Sequence, residues 1–92
     1  MTTRFVTEKD ENNHTTVYTE VDGKIEGEKK TFYESGELYS LHHYIGGVMN
    51  GPFVLYQENG LPMVIGNFLN GQWHGEFNYY NIKGELTNTV NF

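Results

Sequence analysis

The stretch NGQWHGEFNYY, residues 70–80, places two glycines four positions apart around the only tryptophan of the chain. Glycine loses more conformational entropy on folding than any other residue, so its use beside bulky aromatic side chains needs a structural reason. The same pair occurs 24 residues earlier, at Gly47 and Gly51, and 24 residues before that, at Gly23 and Gly27. A third position repeats at the same interval, as Gly36, Gly60 and Gly84. This fixed period indicates an internal repeat.

Each unit carries two turn signals between segments rich in Tyr, Phe, Val and Thr. Asn-Gly and Asp-Gly pairs between such segments favour type I′ turns, in which both central residues have positive φ. We expect one series of turns at Asp22-Gly23, Gly46-Gly47 and Asn70-Gly71, and a second at Ser35-Gly36, Asn59-Gly60 and Lys83-Gly84. The chain has no alanine and many β-formers. We therefore predict an all-β fold, a single-layer antiparallel β-meander of about four repeated hairpins that forms a short solenoid of period 24.

The repeat divides one predicted domain, residues 1–92, into a degenerate first hairpin at 1–22 and repeats at 23–46, 47–70 and 71–92. In the first hairpin, Phe5 aligns with Phe53 and Phe77, and Asn12 aligns with Gly36. Asparagine fits that position because, after glycine, it best tolerates the left-handed region.

The turn positions also predict which side chains share a face of the sheet. If Asn59-Gly60 forms a two-residue loop, Tyr56 lies opposite Met63 and Gly66 lies opposite Phe53, where a neighbouring aromatic ring can cover the bare backbone. One face then carries Phe53, Leu55, Val64, Phe68, Phe77, Tyr79, Val90 and Phe92. The other carries Phe32, Leu41, Val54, Tyr56, Met63, Ile65 and Tyr80. Both faces are substantially apolar, and no helix or second sheet is expected to cover them.

The segment VIGNFLNGQWHGEFNYY, Val64–Tyr80, resembles the MORN repeat, in which an aromatic residue precedes a Gly-x-aromatic-x-Asn-Gly pattern and a further glycine. The resemblance is strongest to the variant form and covers about residues 23–92. It rests on Gly75, Phe77, Tyr80, Gly84 and Leu86, and on Gly51, Phe53, Tyr56 and Gly60. It implies a scaffolding or binding element, of the kind that recurs in bacterial toxin-neutralising proteins.

Charge limits the classes of partner. The net charge is −6, and no Lys or Arg occurs from Thr31 to Ile82. Nucleic-acid binding requires cations that displace phosphate counterions, so we expect no direct nucleic-acid contact, and attachment to anionic lipid is disfavoured for the same reason. The absence of cysteine, of a signal-peptide segment and of a long apolar run predicts a cytoplasmic protein.

The polar residues predict no chemistry. His42 and His43 are adjacent, so on a strand they point to opposite faces and cannot hold one metal ion together. The two serines, Ser35 and Ser40, have no recognisable base and orienting group beside them. We expect no catalytic site, no metal and no cofactor.

The aromatic residues suggest a binding surface, although such ladders also stabilise a sheet without any partner. The predicted partner-binding residues comprise two aromatic columns, the tryptophan and the acidic residues at hairpin tips: Phe32, Tyr56, Tyr80, Tyr44, Phe68, Trp73, Glu34, Glu37 and Glu58.

We predict a non-enzymatic protein-protein interaction module, in its sharpest form a small acidic inhibitor or antitoxin-like protein that binds a basic toxin or nucleic-acid enzyme. The first alternative is a self-assembling scaffold that forms a homodimer through its uncharged C-terminal strand, LTNTVNF. Membrane-surface binding and binding of a small molecule in a pocket are further alternatives.

Overall fold

Ten antiparallel strands in a single open sheet account for the architecture of the chain, and the computed structural model describes all residues from Met1 to Phe92. The strands are β1 (Thr3–Lys9), β2 (Thr15–Val21), β3 (Lys24–Phe32), β4 (Leu38–Ile45), β5 (Val48–Met49), β6 (Gly51–Tyr56), β7 (Pro62–Leu69), β8 (Gln72–Trp73), β9 (Glu76–Tyr80) and β10 (Leu86–Asn91). The chain forms no helix that could cross a membrane.

The strands follow one another across the sheet in the order β1-β2-β3-β4-β6-β7-β9-β10, with β5 beside β4 and β8 beside β7. Each pair of neighbours is antiparallel, which gives four hairpins, β1–β2, β3–β4, β6–β7 and β9–β10. The predicted all-β, single-layer meander of repeated hairpins is confirmed.

The period of 24 has its origin in the backbone. All nine glycines of the three repeating positions have positive φ, between 74° and 101°, a region that other L-residues seldom adopt. They are Gly23, Gly47 and Gly71 in turns; Gly27 within β3, Gly51 at the start of β6 and Gly75 just before β9; and Gly36, Gly60 and Gly84 at the opposite turns. The repeat is therefore a recurring set of chain corners.

The two ends of the hairpins use different turns. At one end, Asp22, Gly46 and Asn70 have φ of 50°, 57° and 51° and each precedes a glycine of positive φ, so the predicted type I′ turns are confirmed there. At the other end only the glycine has positive φ. Gly60 N–H donates to the Gln57 carbonyl at 2.9 Å, and Gln57 N–H donates to the Leu61 carbonyl at 2.8 Å. The prediction of two-residue type I′ turns is wrong at this end, where longer loops close on a left-handed glycine.

The longer loops shift the pairing next to them. Tyr56 pairs with Pro62, so the predicted pairing of Tyr56 with Met63 is wrong, although Phe53 pairs with Gly66 as predicted. In the first hairpin, Asn13 has φ of 60° and its N–H donates to the Asp10 carbonyl, as Gly36 N–H does to Tyr33. Asn13 thus occupies the glycine position, and the alignment of Asn12 with Gly36 is wrong by one residue.

The same one-residue slip moves Phe5. Val6 pairs with Tyr18 on the face that carries Phe53 and Phe77, whereas Phe5 pairs with Thr19 on the other face. Phe5 is 84% exposed, so the predicted equivalence of Phe5 with Phe53 and Phe77 is wrong. A slip of one residue in a strand exchanges its two faces, because side chains alternate with a period of two.

The two faces of the sheet differ in packing. One face, which we call the packed face, carries the three buried side chains, Ser40, Phe68 and Phe77. None of them is more than 7% exposed. The open face, which carries Phe32, Leu41, Val54, Tyr56, Ile65 and Tyr80, has no buried side chain. The core of the protein therefore lies on one side of a single layer, and nothing covers the other side.

The centre of the packed face is Phe77, which is 2% exposed. Its ring lies over Gly66, where a Cβ atom would overlap Phe77 Cε2. Gly66 is the one glycine without positive φ, so its role is to leave space for the ring. The ring that covers it belongs to β9, the strand on the other side of β7 from the cross-strand partner Phe53.

Replacing Gly66 by alanine tests this close contact. We expect Gly66→Ala to lower the free energy of unfolding by about 3 kcal/mol, because overpacking a rigid core typically costs about 1–3 kcal/mol and the ring has little room to move. The control is Gly60→Ala, where no atom lies within 4 Å and only the positive φ opposes a side chain; that change costs about 1 kcal/mol.

Urea unfolding of both variants, alone and combined with Phe77→Leu, separates the two causes. The smaller leucine restores part of the stability lost in Gly66→Ala and none of that lost in Gly60→Ala. A Gly66→Ala protein as stable as the wild type would refute the packing role, since alanine in a strand is otherwise favoured over glycine.

Candidate partner-binding surfaces

The four longer loops lie side by side along one edge of the sheet. We call this edge the tip row; it comprises residues 10–14, 33–37, 57–61 and 81–85. It contains six acidic residues and one basic residue, so its net charge is −5 out of −6 for the chain. These charged residues, all exposed, are Asp10, Glu11, Glu34, Glu37, Glu58, Glu85 and Lys83. The predicted acidic residues Glu34, Glu37 and Glu58 therefore belong to a continuous acidic edge.

Side chains at the start of two loops hold the tip row in shape. Asp10 Oδ1 accepts hydrogen bonds from the backbone N–H groups of Asn12 and His14, at 2.8 and 2.9 Å. Asn81 Oδ1 does the same for Lys83 and Glu85 in the last loop, at 2.9 and 3.0 Å. Such local bonds favour turns over strand and keep the loops ordered.

Adjacent tips are also tied to one another. Asn59 Nδ2 donates to the Ile82 carbonyl at 3.2 Å, and Gln57 Nε2 donates to the Asn81 carbonyl at 2.8 Å. The Leu61 side chain lies against Gly84, whose Cβ position is 3.3 Å from Leu61 Cδ1. These contacts between neighbouring hairpins fix the position of one tip loop relative to the next.

A cluster of three rings lies beside the first two tips and was not predicted. Tyr33 and Tyr39 stack with ring centroids 4.7 Å apart, and His14 meets both rings edge-on at 5.5 and 5.1 Å. Tyr33 Oη donates to the Tyr56 carbonyl at 2.6 Å and so joins the second hairpin to the third. Burial, the Tyr39 hydroxyl and the Glu58 carboxylate raise the pKa of Tyr33, which keeps this donor neutral.

The aromatic column of the open face borders the tip row. Phe32 and Tyr56 each stand at the end of a strand that enters a tip loop, and Tyr80 does so in the last hairpin. All three are half-buried, so part of each ring meets solvent. This column and the neighbouring carboxylates form one surface of mixed aromatic and acidic character.

The second predicted aromatic column, Tyr44 and Phe68, lies on the packed face. The predicted partner-binding residues are therefore divided between two faces of the sheet. Phe68 is 7% exposed and packs edge-on against Phe53, Trp73 and Phe77. Its ring is part of the core and is not open to a partner as the sheet stands. Trp73 is 53% exposed and stacks on Phe77 at 5.3 Å between centroids.

Tyr44 lies further along the packed face, beside a lysine that takes the place of a phenylalanine in the later hairpins. The Lys29 ammonium lies 5.1 Å from the Tyr18 ring centroid and 5.9 Å from that of Tyr44. Cation–π contacts of this kind stabilise a charge that would otherwise meet an apolar surface. The N-terminal half of the packed face therefore has a charged side chain between its rings, where the C-terminal half has a phenylalanine.

The histidines are separated as predicted. His42 lies on the packed face, 4.8 Å from the Phe53 ring, while His43 lies on the open face with Nδ1 2.9 Å from the Pro52 carbonyl oxygen. Burial lowers the pKa of His42, and nearby Lys29 and His43 lower it further. No three His, Asp or Glu side chains lie close enough together to hold a metal ion.

A shallow hollow of about 650 Å³ lies at the N-terminal end of the open face. Apolar side chains from the first two strands, Phe5, Val17 and Val21, form part of its lining, and Glu26, Glu28 and Lys30 bring charges of both signs. The hollow is formed by β1, β2 and β3 and is separate from the aromatic column near the tips.

Comparison with known proteins found no relative from which a function can be transferred. No family model, curated protein or solved structure matches the chain.

The hydrogen bonds of Asp10 predict a dependence of stability on acid. The His14 and Asn12 N–H groups favour the carboxylate and lower the pKa of Asp10 below its value in an unfolded chain. The resulting stabilisation is fully present above about pH 4, the unfolded value, and is lost as the pH falls through the folded pKa.

We expect Asp10→Asn to retain stability close to wild type at pH 7, because asparagine makes the same bonds at position 81. Its stability should fall less than that of wild type between pH 5 and pH 2, since it cannot titrate. Asp10→Ala loses the bonds and is less stable at pH 7. Urea unfolding at several pH values measures all three proteins. Equal stabilities of the asparagine and alanine variants at pH 7 would contradict the role of these bonds.

Proposed function

We propose that this chain is a non-enzymatic, cytoplasmic module that binds a basic protein partner through the open face and the tip row. The observation that carries the proposal is the concentration of charge: the tip row has a net charge of −5, and it borders half-buried aromatic rings that nothing covers. Exposed aromatic surface with a polar rim is typical of protein-binding sites.

The two parts of this surface contribute differently to binding. The carboxylates of the tip row attract a basic surface over a distance, which raises the association rate. The aromatic rings bury apolar area once the partner arrives, and Tyr is enriched among the residues that dominate binding energy. The hydrogen bonds between the third and fourth tips hold those two loops in place, so less ordering of the loops remains to be done on binding.

The sharper form of the proposal is a small inhibitor, similar to antitoxins, whose partner is a basic toxin or a nucleic-acid enzyme. A row of carboxylates can occupy the cationic surface with which such an enzyme binds phosphates. The resemblance to variant MORN repeats supports the same class, since such repeats are generally scaffolding or binding elements.

The test starts from a purified partner, obtained by cross-linking and affinity capture in the native host. We expect replacing Glu34, Glu37 and Glu58 together by glutamine to slow association about tenfold or more at low ionic strength, since electrostatic steering contributes about 10–1,000-fold. The difference should shrink as salt is added. Stopped-flow or surface-plasmon measurements give the rates.

The matched control replaces Glu8 and Glu20 by glutamine and Asp22 by asparagine. These residues lie outside the tip row, the two glutamates on the packed face and Asp22 in a type I′ turn, and the variant has the same net charge as the first. This variant should associate at close to the wild-type rate. Equal effects of the two triple variants would mean that only net charge matters, and the tip row would lose its assigned role.

A second pair of variants identifies the face. Tyr80→Ala should raise the dissociation constant about 30-fold, as expected for an interface anchor worth about 2 kcal/mol. Tyr44→Ala, on the packed face, should leave binding within about threefold of wild type. The reverse result would move the binding site to the packed face.

Self-assembly is a second candidate, favoured by the free edge of β10. This strand pairs only with β9, its side chains carry no charge, and charged residues are the usual protection of such an edge. If β10 pairs with a second copy, Asn88→Lys together with Asn91→Lys should abolish the dimer in sedimentation experiments. Unchanged sedimentation of this variant would reject pairing through β10.

A further inference from the structure

The edge of the sheet opposite the tip row is apolar, whereas the tip row is acidic. Its type I′ turns present large apolar side chains to solvent, and three of these, on the open-face side of the sheet, are between 42% and 66% exposed. We call this set the apolar turn edge: Ile45, Val48 and Leu69. Isolated apolar residues are common on surfaces, but neighbouring ones form a patch that usually has a function.

These side chains are neighbours because successive turns lie side by side along this edge of the sheet. Ile45 pairs with Val48 across the Gly46-Gly47 turn, and Leu69 pairs with Gln72 across the next turn. Val48 Cγ1 lies 3.4 Å from the Cβ position of Gly71, and Gly71 N–H donates to the Met49 carbonyl at 2.8 Å. The second turn therefore rests directly on the third, which makes the patch continuous across two hairpins.

The patch is also free of charge. From Leu38 to Gly75 the only Asp, Glu, Lys or Arg is Glu58, which lies at the far end of its hairpin in the tip row. Lys24 and Glu26 lie at the N-terminal border of the patch, where the Glu26 carboxylate accepts a hydrogen bond from Gly46 N–H and the Lys24 side chain lies against Gly47. They form a charged rim beside an uncharged centre. The cores of protein interfaces are depleted of charge in this way.

We propose that the apolar turn edge binds the same edge of a second copy, forming a weak, two-fold symmetric dimer. Charge distribution selects this arrangement. Contact through the tip rows or open faces brings two sets of carboxylates together. In a dimer formed through the apolar turn edges, the two tip rows lie at opposite ends. Each eight-residue strand spans about 26 Å, so the tip rows are at least about 50 Å apart. Over that distance, charges in physiological salt are fully screened, because the Debye length is about 8 Å.

The size of the edge makes the dimer weak. The sheet measures 44 × 32 × 17 Å and the patch spans only two of the four hairpins, so the buried area lies below the roughly 800 Å² per partner of a standard interface. We expect a dissociation constant of about 10–1,000 µM. Unlike capture of a basic partner, dimerisation should persist or strengthen as salt is added, because it depends on apolar contact.

Sedimentation of the whole chain over a wide concentration range tests the proposal. We expect Ile45→Glu and Leu69→Glu each to weaken the dimer at least tenfold. The matched control is Ile82→Glu, which places the same charge on an apolar residue of the tip row that is 74% exposed; it should leave the dimer intact. All three residues are exposed, so circular dichroism and thermal unfolding should remain close to wild type.

A cross-linking experiment gives an independent answer, since the chain has no cysteine. Oxidation of Val48→Cys should yield a disulfide-linked dimer, and oxidation of Ile82→Cys should yield little. A wild-type chain that stays monomeric to millimolar concentration, with equal cross-linking of the two variants, would overturn the proposal. So would a dimer abolished only by lysines in β10, or a monomer that sediments with phosphatidylcholine vesicles in an Ile45-dependent manner.

Discussion

The packing of Phe77 on Gly66 is the contact on which the rest of the structure depends. A single layer of strands has no second layer to bury its side chains, so a core must form from rings that pack against one another on one face. Phe77 meets Phe53, Phe68, Trp73 and Phe92 at centroid distances of 5.2 to 6.3 Å, and Gly66 supplies the space into which its ring fits. Such ring pairs add to the stabilisation from burial.

This arrangement gives the two faces different roles. Rings from β6, β7, β8 and β9 meet on the packed face, whereas the open face has no buried side chain. The two edges differ as well, because loops closing on a left-handed glycine carry carboxylates and type I′ turns carry apolar side chains. A short repeat thus presents an acidic edge, an aromatic face and an apolar edge. The proposed partner and the proposed dimer use different parts of this surface.

Much of the fold could be predicted because each repeating glycine has a backbone reason. The type I′ turns, the pairing of Phe53 with Gly66 and the assignment of faces all follow from the period and from alternation along strands. The tip turns could not be predicted from their dipeptides, since a glycine of positive φ closes both kinds of turn. The difference lies in hydrogen bonds such as that from Gln57 N–H to Leu61, which residue identity does not specify.

The alignment of the first hairpin could not be predicted correctly because this hairpin lacks the glycines that fix the frame of the repeat. Asn13 takes the left-handed position 23 residues before Gly36, and the slip moves Phe5 to the opposite face. The surface was predicted in part. The acidic residues fall together because they recur at one place in the repeat, whereas the contact of His14 with Tyr33 and Tyr39 joins residues from different loops and leaves no periodic signal.

Residue-resolved amide hydrogen exchange tests the central claim, that cohesion comes from one aromatic cluster on one face of a single layer. The account predicts the slowest exchange in β6, β7 and β9, whose hydrogen bonds lie beneath the rings of Phe53, Phe68 and Phe77, with faster exchange in β1 and β2. Uniform protection across all strands, or the strongest protection in β1 and β2, would contradict it.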